Sequence, residues 1–220
     1  MPQKARAAAR ADRPLPLETL ETWVQANSGR IAGLDEVGRG CLAGPVVAAA
    51  VVLPWRHGIV GLDDSKKLTP AQRRHLYHAI RRQAAAVGIA CVSASRIDSI
   101  NILHASLEAM AAAFGKARGR AAVPLTGALA DGPHLAPLPI GVMQHAVVGG
   151  DAIWPCIMAA SIVAKVVRDR LMQLLAARFP GYGLERHKGY PTPAHRQALQ
   201  QLGPSSIHRR SFAPVAAVCV

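Results

Sequence analysis

The chain is poor in aromatic residues, in acids, and in any grouping of cysteines that could bind a metal or form a bridge. Three Phe, three Trp and three Tyr make up 4% of its 220 residues, so its core must rest on Ala, Val, Leu and Ile. Cys41, Cys91, Cys156 and Cys219 are scattered and include no CxxC pair, which argues against a structural zinc site. Cysteines this sparse do not make a disulfide framework, and reduced thiols suit a cytoplasmic protein. The longest apolar run, residues 41–54, is interrupted at Gly44 and Pro45 and is too short to cross a bilayer. The basic start MPQKARAAARADRPLP has no apolar stretch of the kind a secretory signal requires, so a soluble protein without membrane association is expected. The 13 Asp and Glu stand against 26 Lys and Arg, a formal net charge of +13. Such a field attracts polyanions such as nucleic acid, although an Ala- and Arg-rich genome yields the same imbalance without that partner.

The length fits one domain. Residues 1–16 read as a disordered basic arm ending at Pro14 and Pro16, and residues 17–220 as a single domain. A short helix is expected over residues 17–26, stopped by Asn27, Ser28 and Gly29. IAGLDEV and PVVAAAVVLP read as buried strands on either side of GRGCLAG, and VGIACVSA as a third strand. Thr69 followed by Pro70 is the start signature of a helix that carries Leu76 and Ile80 at helical spacing. Residues 95–117 read as one helix with Leu103, Leu107, Met110 and Phe114 on its apolar stripe. LTGALAD and VMQHAVV are a fourth and a fifth strand, a long helix follows over residues 156–178, and a last one runs from Thr192 to Gly203. Three successive strands followed by alternating helices and strands describe a mixed sheet flanked by helices, an α/β fold.

Asp35 and Glu36 interrupt an apolar strand, where two ionised carboxylates are costly unless something compensates them. A regular strand sends neighbouring side chains to opposite faces, so Gly38 and Gly40 are expected to turn the chain and bring Glu36 round to Asp35. An isolated Asp–Glu pair is also compatible with a strand end facing water. Asp131 at a strand end before Gly132 and Pro133, and Asp151 after two glycines at the expected mouth of the long helix, shift that balance. Four carboxylates at element ends could cage hard divalent cations, since Mg²⁺ and Mn²⁺ take oxygen ligands.

The motifs GLDEVGRG, DDSKKLT, NILHASLEAM, ADG, GGD, AASIVAKVVRDR, HKGY and HRRSFAPV occur in that order between residues 34 and 215. In these the chain resembles the bacterial ribonuclease HII family, the type 2 ribonucleases H. The resemblance implies a ribonuclease H-like fold: a five-stranded mixed sheet flanked by helices, with a C-terminal helical part from about residue 180. It implies endonucleolytic cutting of RNA in RNA–DNA hybrids and 5′ of ribonucleotides embedded in duplex DNA, leaving 5′-phosphate and 3′-hydroxyl ends. The catalytic and metal-binding residues would be Asp35, Glu36, Asp131 and Asp151, holding Mn²⁺ or Mg²⁺, two ions with substrate bound to a monomer. Gly38, Arg39 and Gly40 would contact the ribose 2′-hydroxyl and its phosphate, and Tyr190 would stack on the sugar beyond the ribonucleotide.

Lys66 and Lys188 are candidate phosphate ligands, and Lys165, Arg168 and Arg170 could follow a phosphate backbone. His208, Arg209 and Arg210 form a candidate basic patch, whereas Asp169 reads as structural. Trp154, Cys156, Cys41 and Pro191 depart from the family's usual residues. A resolvase or integrase core would share a carboxylate cage but would leave GRG and HKGY without a purpose. A hybrid-binding protein that does not cut would be marked by a missing carboxylate, and all four are present.

Overall fold

The computed structural model describes residues 16–219; the expected basic arm, apart from Pro16, lies outside the described residues. Helix α1 (Leu17–Ala26) leads into β1 (Ile31–Val37) and β2 (Val46–Val52). Then come α2 (Pro70–Gln83), β3 (Ala86–Val92), α3 (Ala94–Arg118), β4 (Gly127–Asp131) and β5 (Met143–Val147). A 3₁₀ turn (Gly150–Ala152) precedes α4 (Pro155–Arg178), and α5 (Leu184–His187), α6 (Pro193–Leu202) and α7 (Ala213–Ala216) make up the C-terminal helical part. The five strands form one sheet in the order β3-β2-β1-β4-β5. β1 runs antiparallel to β2 and parallel to β4, so the sheet is mixed, as expected.

The period of two divides β2 between the sheet's faces. Val46, Ala48, Ala50 and Val52 pack on α3 with Ala109, Met110, Ala113 and Phe114. Ala49 and Val51 pack on α4 and α2 with Ala160, Val163 and Ile80. Small side chains let the helices lie close to the sheet. At Gly33 an added Cβ would stand 2.2 Å from the backbone carbonyl carbon of Cys156, so β1 and α4 meet backbone to backbone.

Local capping explains the boundaries. Thr69 and Gln72 form a reciprocal capping box at α2, and the Thr192 hydroxyl accepts the His195 N–H at α6. One expected element is divided: α3 breaks at Asn101 (φ 63°), whose side-chain oxygen accepts the His104 N–H and caps the second segment. Trp154 and Cys156 are buried with Leu20, Ile31, Leu129 and Ile157, which accounts for them as packing. Burial pushes the Cys156 thiol up to about 12, leaving it protonated and unreactive.

Candidate active site

β1 and β4 run side by side from Ile31 opposite Gly127 to Leu34 opposite Ala130, and their ladder stops there. The next residues are Asp35 and Asp131, at the carboxyl ends of two adjacent parallel strands, where α/β sheets collect their ligands. A cavity of about 280 Å³ opens at this place, lined by Asp35, Glu36, Asp131, Lys66, Lys165 and Tyr190 together with Ser65 and Ser161. The glycines do not bring Glu36 round, because β1 stays paired with β2 through Val37. Glu36 lines the cavity beyond the point where the β1–β4 ladder ends.

Asp35 is 6% exposed, and its carboxylate accepts the Glu36 N–H at 2.7 Å. Burial first, then the charges of Glu36 and Asp131, holds Asp35 well above the usual carboxylate range. Glu36 is also raised by burial, partly offset by the Arg39 guanidinium that donates to it at 3.1 Å. Asp131 is raised by burial and by the charge of Asp151, whose backbone N–H it accepts at 3.4 Å. Asp151 lies in the 3₁₀ turn, four residues before α4, so a helix dipole does not compensate it. Its partner is instead Lys66, whose Nζ donates to it at 2.8 Å.

These donors are all carboxylate oxygens, and three of the four carboxyls are raised, chiefly by burial, with neighbouring carboxylates adding to it. That chemistry fits hard divalent ions. The arrangement is an open one, since among the described residues no group of three His, Cys, Asp or Glu closes on a single point. Lys66 supplies a cation at one edge of the cavity.

Other expected positions divide. Tyr190 sits at the cavity rim, 39% exposed, with Lys165 Nζ 6.0 Å from its ring centre. Lys165 pairs with Asp169 at 2.9 Å. Lys188 adopts a positive φ of 53° and donates to the Glu185 carbonyl. It lines, with Arg73, Arg74, Arg170 and Arg186, a basic groove of about 600 Å³ between α2 and α4 that shares Lys165 with the cavity. Arg168 cannot follow a phosphate backbone, and His208 and Arg209 form no surface patch: all three are buried. Arg168 donates to the carbonyls of Ala43, Pro45 and Lys188, and Arg209 to those of Gly38, Arg39 and Gly44. Ala164, Arg168 and Met172 form one fully buried stripe of α4. Ser65 and Ser161, whose hydroxyls meet at 2.8 Å beside Asp35, are not foreseen from sequence, and nothing in the chain marks them apart from other serines.

Residues 32–215 match the family model described as Ribonuclease HII. A ribonuclease HII of Maricaulis maris is 52% identical over 201 residues, covering 91% of this chain and 89% of that one. The solved ribonuclease H2 of Pyrococcus horikoshii is similar at a TM-score of 0.69 and 26% identity, covering 86% of this chain and 96% of that one. A Bst ribonuclease HIII solved in complex with Mn²⁺ has the same fold, with a TM-score of 0.70 at 16% identity over 89% of this chain and 71% of that one.

Proposed function

Because the chain belongs to the ribonuclease HII family, a family of endoribonucleases, we propose that it hydrolyses the RNA strand of RNA–DNA hybrids and cuts 5′ of ribonucleotides embedded in duplex DNA. The observation that carries this reading is the gathering of Asp35, Glu36 and Asp131 in one cavity with Tyr190 at its rim. Asp35, Glu36, Asp131 and Asp151 would hold Mn²⁺ or Mg²⁺, two ions with substrate bound, and the ions supply Lewis acidity for attack by water and departure of the 3′-oxygen. The Mn²⁺ of the similarly folded ribonuclease HIII accords with that choice.

The chain's own groups do the rest. The Glu36 N–H orients the Asp35 carboxylate. Lys66 holds Asp151 and brings positive charge to the edge where a phosphate enters. The backbone of Gly38, Arg39 and Gly40 reads the ribose 2′-hydroxyl, the one group that distinguishes RNA from DNA at a given position. Tyr190 stacks on the adjoining sugar. The basic groove takes the phosphates of the duplex leading away from the cut.

The test is a cleavage assay with Mg²⁺ or Mn²⁺ on a DNA duplex carrying one ribonucleotide, beside an all-DNA control. The expected result is a single cut 5′ of the ribonucleotide and an intact control. Equal cutting of both duplexes, or of neither with either metal, refutes the proposal.

A further inference from the structure

The loop of residues 38–45 rests on two buried cations held by main-chain carbonyls. Arg168 and Arg209 are both 0% exposed, and neither makes an ion pair among the described residues. Burying an unpaired charge is strongly unfavourable unless hydrogen bonds replace its water. Here main-chain carbonyls do so. Arg209 donates to Gly38 O and Arg39 O, both at 2.7 Å, and to Gly44 O at 2.9 and 3.0 Å. Arg168 donates to Pro45 O at 3.1 Å, Ala43 O at 3.3 Å and Lys188 O at 2.9 Å. At Gly38, whose φ is +96°, an added Cβ would lie 2.1 Å from Arg168 Nε, so the loop lies directly on that guanidinium.

The direction of these bonds decides what the loop presents. In a trans peptide unit the carbonyl and the next residue's N–H point opposite ways, and the described chain has no cis bond. With Gly38 O and Arg39 O drawn inward onto Arg209, the N–H groups of Arg39 and Gly40 are directed outward. Neither N–H has an acceptor among the described residues. Arg168 adds a second constraint, because its bond to Lys188 O ties the loop to the segment bearing Tyr190. The Leu42 N–H to Gly189 O bond of 2.8 Å reinforces that tie.

We infer that Arg168 and Arg209 are positioning residues for ribonucleotide selection: they grip the loop of residues 38–45 by its carbonyls, so that its amides face the 2′-hydroxyl and adjacent phosphate in fixed register with Tyr190. This rests on the proposed reading of the loop, and it names side chains that never touch substrate. Lysine at either position keeps the charge and loses the planar fork that spans several carbonyls.

The experiment measures binding in an Asp35→Asn background, which prevents cutting, with Mg²⁺ present. Affinity for a duplex carrying one ribonucleotide is compared with affinity for the all-DNA duplex. Arg168→Lys and Arg209→Lys should each lower that preference by about tenfold, the loss expected for one or two charge-assisted hydrogen bonds. Binding to the all-DNA duplex should change less than about twofold, because charge is retained. A purely structural role would lower the unfolding midpoint and leave the preference of the folded protein unchanged; that result overturns the inference. A background protein with no preference overturns the ribonucleotide reading, and this inference with it. Since a buried Arg→Lys change can prevent folding, amide hydrogen exchange on the unsubstituted loop provides a second measurement. The Arg39 and Gly40 amides should be protected by the ribonucleotide duplex and not by the all-DNA duplex, and equal protection by both refutes the inference.

Discussion

Acid should weaken this protein through a chain of neutral histidines that ends at Tyr190. His208 is 2% exposed, and its Nδ1 accepts the Ser205 N–H at 3.1 Å, so its proton sits on Nε2. That Nε2 faces His195 Nε2 at 3.2 Å, and His195 Nδ1 donates to the Tyr190 carbonyl at 2.9 Å. Every nitrogen in the chain is used in its neutral form, and protonating either ring sets two N–H groups against each other. Burial, with the neighbouring His195 adding to it, lowers His208 from 6.5 to about 4, and burial also lowers His195. The sign comes from the order of protonation. Between pH 6.5 and about 4 the unfolded chain binds a proton at this position while the folded chain does not, so stability is full above 6.5 and falls as the pH drops. At about 1.4 kcal/mol per pH unit the gap corresponds to about 3 kcal/mol, and solvent screening reduces it to about 2. Urea unfolding of the protein and of His208→Gln at pH 7 and pH 4.5 measures the effect. The raised carboxyls of the cavity work in the opposite direction, but they are common to both proteins and cancel in the comparison. The unsubstituted protein should lose about 2 kcal/mol more than the variant over that interval; equal losses refute the neutral relay.

Three further outcomes are expected from the packing and the charges. Gly33→Ala should cost about 3 kcal/mol in urea unfolding, because its Cβ meets the backbone of α4 and no side chain can move aside; a loss under about 1 kcal/mol would show that the strand–helix contact yields. Asp35→Asn should abolish cleavage yet raise the metal-free unfolding midpoint by a few degrees, since it removes a buried charge pressed by Glu36 and Asp131; calorimetry showing a lower midpoint would contradict the electrostatic account. Arg74→Gln and Arg170→Gln should each reduce the slope of log affinity against log salt by about 1, with the unfolding midpoint unmoved. Unchanged slopes in fluorescence anisotropy would place the duplex elsewhere.

Much of the fold was legible because it is written in local rules. Thr69–Pro70 and Thr192–Pro193 mark helix starts through capping, and the all-apolar run of β2 marks a strand covered on both faces. Asp35, Glu36 and Asp131, which line one cavity, stood out because acids are few in the chain and these lie in or at the end of apolar strands. What escaped depends on tertiary placement. Periodicity cannot show that Asn101 will break α3 and cap its second segment, nor that the four-residue helices α5 and α7 form at all. Arginine is read by default as a surface residue, which sends Arg168 and Arg209 to solvent, because the carbonyls that accept them lie about 125 and 170 residues away in the chain. A separation of 85 residues likewise hid the Lys66–Asp151 pair.

The early end of the β1–β4 ladder has a mechanical meaning. Asp35 remains tied through β2 on one side and Asp131 through β5 on the other, but beyond Leu34 and Ala130 no backbone bond spans the gap between them. Their separation is therefore set by two independently anchored jaws. If a cation is held between them as proposed, a change in their spacing would break no ladder bond between β1 and β4. The sheet is thus bonded across its base and open at its mouth, and the opening lies between the two carboxylates.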